Sequence, residues 1–264
     1  MNGVRHFLLA LQFFTRVPVT GRLAGWVGFS PAMLRASAAH FPGVGWLVGA
    51  VGAGVFLLAQ AGLPGVAGAA VAALLSTAAT VWMTGAFHED GLADVADGLG
   101  GASDRARALE IMKDSRIGAF GAIALVLALG LKIALLTALA GQGAMSAATA
   151  LLGAHVLSRL APLFLIRWLP YVGDEGVSKA KPLADAIGGG ALLVGVLYAL
   201  PAMALLLLVH PPLQGVASLL ACLLGALYMA ALLRRRLQGF TGDGLGATQQ
   251  VCELAIYLAL AWQA

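Results

Sequence analysis

Long apolar runs separated by short turns dominate the pattern of hydrophobic and polar positions along the chain. No Asp, Glu, Lys or Arg occurs between Arg35 and Glu89, or between Asp185 and Arg234. Each stretch is long enough for two bilayer crossings of about 20 residues. Backbone polar groups in lipid must be satisfied within the crossing segment, so the crossings are predicted to be helices. The pattern predicts seven, near residues 43–60, 65–87, 118–140, 144–166, 188–209, 214–233 and 246–263.

The N-terminal segment is predicted to lie on the membrane surface rather than to cross it. Its apolar piece, Phe7–Phe14, is short, and Arg16 and Arg22 follow it in place of a small-residue cleavage site. It therefore fits an interfacial helix better than a cleaved signal peptide. Because no soluble second domain and no internal repeat is visible, residues 1–264 are predicted to form one all-α domain. This domain would be a polytopic integral membrane bundle of about seven transmembrane helices with an interfacial N-terminal helix.

Composition agrees with a membrane protein and excludes several other classes. Hydrophobic residues make up 60% of the chain and charged residues 11%, whereas soluble domains usually have roughly 25% charged residues. These values exclude a soluble enzyme, a disordered chain, a coiled coil and a disulfide scaffold. The net charge of +4 is interpreted as a signal of membrane orientation, and nucleic-acid binding is not expected.

The positions of the basic residues predict that orientation. Outside the predicted spans, Lys and Arg lie before the first span and in segments 88–117, 167–187 and 234–245, while the turns 61–64, 141–143 and 210–213 hold none. Basic loops remain in the cytoplasm under the positive-inside rule. The N-terminus and the three basic segments are therefore expected inside, and the C-terminus outside.

Acidic residues are concentrated in the first basic segment. Seven of the 12 Asp and Glu residues fall between positions 89 and 114. Among them, Asp90, Asp94 and Asp97 recur at i, i+4 and i+7, which places three carboxylates on one face of a helix. Close carboxylates repel each other unless a cation lies among them, and Mg²⁺ takes oxygen ligands while leaving positions for substrate phosphates. We therefore predict a Mg²⁺ site, with a solvated acidic face as the alternative.

Basic residues follow the acidic ones at the start of the third span. Lys113 and Arg116, on either side of Asp114, are candidate phosphate-binding residues, because cations stabilise the charge that moves onto a leaving phosphate. Arg105 and Arg107 are assigned mainly to anchoring of a helix end. Acidic and basic groups in succession are what a site for a metal-bound diphosphate requires.

Two further regions carry candidate chemistry. Thr241 and Asp243 lie in a glycine-rich segment before the last span, where backbone amides at a helix N-terminus can bind phosphate. Arg159 and Lys132 lie within predicted spans, where charges are costly and therefore suggest function. Glu253, in the last predicted span, is a candidate partner for either cation.

His88 is a candidate general base or metal ligand, with a hydrogen-bonded histidine at a helix end as the alternative. The other four histidines, His6, His40, His155 and His210, have no cluster around them. Taken together, the residues predict metal-assisted phosphoryl transfer at the cytoplasmic face of a membrane.

The motifs resemble those of the cobalamin synthase family. The similarity covers most of the chain and is most specific in three ordered segments, which are residues 87–98 (FHEDGLADVADG), 110–118 (EIMKDSRIG) and 241–248 (TGDGLGAT). The shorter segments 13–18 (FFTRVP) and 41–45 (FPGVG) precede them. Glu89 stands where some members carry an apolar residue, which adds a candidate ligand. Gln249 stands where some carry Glu, so Gln249 is left out of the expected site.

The resemblance implies an enzyme that joins α-ribazole, or its 5′-phosphate, to adenosylcobinamide-GDP and releases GMP. It also implies Mg²⁺ as cofactor and a location in the bacterial cytoplasmic (inner) membrane, and a homo-oligomer is left open. The implied site has His88, Glu89, Asp90, Asp94 and Asp97 as catalytic residues, the three aspartates also as metal ligands, and Lys113, Asp114, Arg116, Arg159, Thr241 and Asp243 as substrate-binding residues.

Two other functions remain as alternatives. A CDP-alcohol phosphotransferase of lipid synthesis would also use aspartates at a membrane face, but its signature spaces them differently from Asp90 and Asp94. A transporter would line a path at the middle of the bilayer with polar residues, whereas the acidic residues of this chain are expected at one surface.

Overall fold

The computed structural model describes residues 2–173 and 187–263, and this part of the chain is built from helices. The N-terminal third contains α1 (Asn2–Phe14), α2 (Gly21–Val27), α3 (Pro31–Ser37), α4 (Phe41–Gly62) and α5 (Gly65–Thr84), with a 3₁₀ turn at Ala38–His40. The remainder contains α6 (Phe87–Gly101), α7 (Arg105–Ile111), α8 (Ala119–Gln142), α9 (Ala144–Trp168), α10 (Gly189–Val209), α11 (Pro212–Leu237) and α12 (Gly242–Ala261). The predicted all-α fold is confirmed.

Within residues 2–173 and 187–263, six helical stretches are long and apolar enough to cross a membrane. They are Pro31–Gly62, which joins α3 to α4, and the helices α5, α8, α9, α10 and α11. Six of the seven predicted spans are therefore confirmed by length and composition. The seventh, 246–263, coincides with α12, which is a helix of 20 residues but is more polar than the others because it carries Thr248, Gln249, Gln250 and Glu253.

Helix α12 nevertheless passes through the whole bundle. Its first turn lies against α6, where the backbone of Asp243 approaches Gly91. At its other end, the side-chain amide of Gln142 donates to the carbonyl of Leu260 and that of Gln214 donates to the carbonyl of Trp262. Gln142 and Gln214 lie next to the turns that join α8 to α9 and α10 to α11. Because its polar residues are buried by neighbouring helices, α12 has no need of an apolar surface all round.

The centre of the bundle is α9. Of its most apolar window, 83% is buried inside the protein, compared with 22% for α10, which lies at the periphery. Helix α4 packs closely along α9: a Cβ atom at Gly45 would collide with the carbonyl oxygen of His155, and one at Gly49 would lie 3.0 Å from Cα of Leu152. Small residues at these two positions let the backbones approach, as is common between membrane helices.

The segment predicted as a cytoplasmic loop, 88–117, folds mainly into α6 and α7, and α6 packs against α12 and α8. A sharp turn after α5 directs the chain into α6, with Gly85 and Ala86 both in the left-handed region, at φ 66° and 59°. Part of the basic segment 167–187, which is predicted to be cytoplasmic and contains residue 175, lies outside the described residues. Residue 264 also lies outside them. Most of the predicted site residues lie at one end of the bundle, where α6 meets the start of α12.

Candidate active site

Two of the three aspartates of α6 share a groove, and the third points elsewhere. Asp90 and Asp94, together with Glu89, line a space of about 420 Å³ that the segment 112–117 borders on the other side. Asp97 is buried, and its carboxylate accepts hydrogen bonds from the backbone N–H groups of Gly118 (2.7 Å) and Gly121 (2.8 Å). Asp97 thereby fixes the start of α8, where a negative charge also complements the helix dipole.

The crossing of α6 and α12 brings a carboxylate that is distant in sequence to the same place. A Cβ atom at Gly91 would lie 2.8 Å from the carbonyl oxygen of Asp243, and one at Gly246 would lie 3.4 Å from His88. Glycine at both positions permits this close approach. The side chain of Thr241 accepts a hydrogen bond from the N–H of Gly244 (3.1 Å) and so caps α12. The charges of Asp90, Asp94 and Asp243 now act on one another, and we call these three residues the acidic cluster.

The acidic cluster holds more negative charge than its surroundings compensate. Burial and the charges of Asp243, Asp90 and Asp97 raise the pKa of Asp94 to about 7. Burial and Asp90 raise the pKa of Asp243 to about 6. Such shifts mean that ionising all three carboxylates is unfavourable until a cation is present.

The donor set therefore suits a hard cation, which takes carboxylate oxygens as ligands. Within the described ranges, no three His, Cys, Asp or Glu side chains stand close enough together to hold a metal ion as they are oriented here. Side-chain rotation in the acidic cluster would be part of binding. The expected Mg²⁺ ligands Asp90 and Asp94 lie in the groove, whereas the carboxylate of Asp97 is held by α8.

The basic residues predicted to bind phosphate line the same groove as Asp90 and Asp94. Lys113, Asp114 and Arg116 all line it. The guanidinium of Arg116 forms an ion pair with the carboxylate of Asp114 at 2.6 Å, and hydrogen bonds from Arg116 lower the pKa of Asp114 to about 2. Because the side chain of Arg116 is 86% exposed, water screens this pair, and Arg116 can exchange its partner for a phosphate group. Arg105 instead donates to the carbonyl of Leu237 at 2.6 Å, a structural contact.

Charged side chains inside the bundle form a connected network around Glu253. Its carboxylate pairs with Lys132 at 2.6 Å and accepts hydrogen bonds from Tyr257 (3.1 Å) and Gln249 (2.6 Å). The predicted pairing of Lys132 with Glu253 is confirmed. His155 Nδ1 lies 3.5 Å from the same carboxylate. The expectation that His155 has no cluster around it is wrong, because helices α8, α9 and α12 bring distant residues together there.

The network extends to Arg159 on one side and to α6 on the other. Arg159 places one terminal nitrogen 3.0 Å from His155 Nδ1 and 2.9 Å from the His155 carbonyl oxygen. Gln249, which the sequence left out of the site, donates to Ser158 at 2.8 Å, and Gln250 donates to Glu89 at 3.0 Å. The spacing of Gln249 and Glu253, one helical turn apart, is the sequence signal that could have indicated this shared role.

Sequence reasoning also missed a pocket with aromatic walls beside the α6–α12 crossing. Its cavity volume is only about 40 Å³, and its walls include Phe13, Phe14, Phe41, Phe87, Tyr171 and Phe240. His88 lies in the wall, with its ring nearly parallel to that of Phe14 at 6.0 Å between centroids. Burial and the charge of Arg159 lower the pKa of His88, so His88 is a neutral imidazole. The aromatic residues come from separate segments, so no spacing in the sequence indicates the pocket.

Comparison with known proteins identifies the family of this chain. A family model described as cobalamin-5-phosphate synthase matches residues 6–261. The chain is 56% identical to a protein of Polaromonas naphthalenivorans, over 99% of both chains, and 58% identical to one of Albidiferax ferrireducens, over 98% of both. It is 45% identical to one of Shewanella amazonensis, over 96% of this chain and 94% of that one. All three are named adenosylcobinamide-GDP ribazoletransferase.

No solved structure matches this chain. The family match nevertheless spans nearly every described helix, including α6 and the segment between α7 and α8, which line the groove, and α12, which crosses α6. The chain therefore belongs to the cobalamin-5-phosphate synthase family.

Proposed function

We propose that this protein is a Mg²⁺-dependent adenosylcobinamide-GDP ribazoletransferase. It would join α-ribazole, or its 5′-phosphate, to the cobinamide phosphate of adenosylcobinamide-GDP and release GMP. The observation that carries the proposal is the groove in which Asp90 and Asp94 face Lys113 and Arg116, with the charge of Asp243 acting on Asp94. A diphosphate needs both a cation site and basic side chains, and the groove offers the residues for both. The names of the relatives supply the substrates.

Each side chain of the groove has a role in this reaction. Asp90, Asp94 and Asp243 would hold Mg²⁺, which when bound neutralises charge on the diphosphate oxygens. Lys113 and Arg116 would bind the same diphosphate from the other wall and stabilise the charge that develops on the departing GMP. Arg116 must leave Asp114 to do so, and its exposure makes that exchange inexpensive.

The transfer exchanges one phosphorus–oxygen bond for another. The 3′-hydroxyl oxygen of ribazole attacks the cobinamide-linked phosphorus, and the bond from that phosphorus to the GMP oxygen breaks, so that GMP leaves as an anion. The hydroxyl proton passes to Glu89, which lines the groove, in preference to His88, the first candidate from the sequence, because His88 lies in the wall of the aromatic pocket and burial lowers its pKa. Burial raises the pKa of Glu89, which also suits a group that takes up a proton.

The proposed location is the cytoplasmic membrane of a bacterium, with the groove facing the cytoplasm. The described basic segments 88–117 and 234–245 contact each other next to α6, and the positive-inside rule favours the cytoplasm for that end of the bundle. Counting α12 as a seventh crossing, its last turn beside Gln142 and Gln214 ends at the outer face. Reporter fusions test this location. Fusions at residues 100 and 240 are expected to give cytoplasmic signals, and a cytoplasmic signal at residue 264 would contradict seven crossings.

The decisive experiment is release of GMP by detergent-purified protein given adenosylcobinamide-GDP, α-ribazole and Mg²⁺, followed by chromatography. We expect GMP only when all three are present, and little GMP from Asp90→Asn. Glu110→Gln is the matched control, because Glu110 is an exposed acidic residue that pairs with Arg107 away from the acidic cluster. Equal activity of wild type and Asp90→Asn, or GMP release without Mg²⁺, would contradict the proposal.

A further inference from the structure

Glu89 belongs both to the groove and to the buried network around Glu253. It lines the groove beside Asp90, yet it is only 7% exposed. Its Oε1 atom accepts a hydrogen bond from the side-chain amide of Gln250 at 3.0 Å, while its Oε2 atom has no hydrogen-bond partner within residues 2–173 and 187–263. One carboxylate oxygen is therefore held by α12, and the other retains the capacity to accept a hydrogen bond.

The side-chain amide of Gln250 is itself fixed by its neighbours. Besides Glu89, its nitrogen donates to the side-chain oxygen of Gln249 at 3.0 Å. The amide nitrogen of Gln249 in turn donates to Ser158 at 2.8 Å and to Glu253 at 2.6 Å. Each amide nitrogen has two N–H groups, so all four N–H groups of the pair are committed. Turning either amide over would place its oxygen against a carboxylate, which accepts but does not donate when ionised. Both orientations are therefore determined.

A buried ion pair anchors the far end of this chain of contacts. Lys132 and Glu253 pair at 2.6 Å and are both buried. Because the cost of removing two charges from water offsets much of their attraction, such a pair adds little net stability, but it can fix one arrangement of the groups around it. From Lys132 the contacts run through Glu253, Gln249 and Gln250 to Glu89, and so join α8, α12 and α6. They end at an N–H group that is held against a carboxylate of the groove.

We propose that Gln250 is a positioning residue, which orients the carboxylate of Glu89 for the transfer reaction, and that the buried network serves to hold Gln250. The proposal rests on the proposed function, in which Glu89 takes the proton of the attacking hydroxyl. A proton acceptor must lie within hydrogen-bond reach of the group that it deprotonates, and a displacement of about 1 Å can slow a reaction about 100-fold. Gln250 is 3% exposed and acts through Glu89.

A double-mutant cycle separates positioning from a purely structural tie between α6 and α12. Gln250→Met keeps the length of the side chain and removes the donor. We expect it to lower kcat for GMP release by about 10- to 100-fold, and to leave the KM for both substrates within about twofold of wild type. Glu89→Gln alone should lower kcat at least about 100-fold. In the Glu89→Gln background, Gln250→Met should change kcat by less than about twofold, because the carboxylate that Gln250 orients is then absent.

Gln142→Met is the matched control. The amide of Gln142 donates to the carbonyl of Leu260 at the other end of α12, so its loss should leave kcat near that of wild type. Wild-type kcat in Gln250→Met would overturn the proposal. An equal fall in kcat with and without the carboxylate of Glu89 would also overturn it, and would show that the hydrogen bond only fastens α12 to α6.

A second variant keeps the test decisive if Gln250→Met fails to fold. Gln250→Asn retains an amide but is one methylene group shorter, so its donor no longer reaches Glu89. It should show the same fall in kcat and the same dependence on the carboxylate of Glu89, and a fall that is independent of Glu89 would contradict the proposal. The proposed function fails if the wild-type protein releases no GMP. This proposal fails when the wild type is active but Gln250 and Glu89 contribute independently.

Discussion

The groove and the aromatic pocket are lined by different residues of α6 and differ in the polarity of their walls. The groove is lined by charged residues, several of them exposed, and holds Asp90 and Asp94 with the basic segment opposite. The pocket is lined mainly by aromatic rings, and its polar groups, Arg159 and Gln249, are buried and fixed by a network. The two regions therefore differ in how freely their side chains can change partners. Arg116 in the groove is exposed and can exchange its partner, whereas the polar side chains beside the pocket are buried and held by hydrogen bonds.

Among the variants of the network around Glu253, Glu253→Gln is expected to have the largest effect. The substitution leaves Lys132 buried and positively charged without a carboxylate, since the two side chains are 2% and 1% exposed. Breaking such a pair costs about 3–5 kcal/mol of stability. We expect a large fall in the unfolding midpoint of the purified protein in denaturant titrations, and partial recovery in the double variant with Lys132→Met. An unfolding midpoint unchanged by Glu253→Gln would show that the network does not stabilise the fold.

On the charged side, Asp94→Asn is expected to slow GMP release by about 100- to 1,000-fold, because it removes a charge on which transition-state stabilisation depends. Stability should rise or stay unchanged, because burial and neighbouring carboxylates already disfavour the charged form of Asp94. Kinetic assays beside thermal unfolding separate the two effects. Loss of stability together with activity would place Asp94 in the scaffold instead.

Arg116→Lys separates phosphate binding from helix anchoring and is expected to have an intermediate effect. Lysine keeps the charge but loses the planar group that grips phosphate oxygens at two points. Turnover should fall roughly 10- to 150-fold, the value of one charge-assisted contact. Arg105→Lys is the matched control, since Arg105 donates to the carbonyl of Leu237 and its replacement should change turnover little. Equal effects at both positions would contradict the assignment of Arg116 to phosphate binding and of Arg105 to anchoring.

The smallest expected effect is that of Thr241→Ala at the start of α12. The hydroxyl oxygen accepts from the N–H of Gly244, and loss of an N-cap costs about 0.5–2 kcal/mol. We expect a modest drop in unfolding temperature and an increase in the KM for α-ribazole of no more than a few-fold. A loss of turnover as large as that of Asp94→Asn would show that Thr241 contacts the substrates directly.

The charged side of the site could be predicted from sequence because its signals are local. The spacing of Asp90 and Asp94 and the position of Lys113 and Arg116 before α8 are visible within one short segment. Helical spans were equally visible, because apolar composition alone indicates them. Asp97 was grouped with Asp90 and Asp94 because spacing shows a shared helix face but not which backbone amides a carboxylate meets.

The pocket and most of the network could not be predicted, because their members are far apart in sequence, and only the pairing of Glu253 with Lys132 was among the candidates. Phe14, Phe87 and Phe240 meet only after α1, α6 and the segment before α12 have packed, and His155 meets Glu253 only through the packing of α9 on α12. A single aromatic or histidine in an apolar run is ordinary in a membrane helix. Only the three-dimensional arrangement distinguishes these residues from the rest.

The central claim is that Asp243, and not Asp97, completes the cation site with Asp90 and Asp94. The most direct measurement is the Mg²⁺ concentration that half-saturates GMP release in Asp243→Asn and Asp97→Asn. We predict a rise of at least about tenfold for Asp243→Asn, corresponding to about 1.4 kcal/mol, with unchanged thermal stability. For Asp97→Asn we predict half-saturation within about twofold of wild type, with lower thermal stability because α8 loses its anchor. The reverse result would contradict the claim.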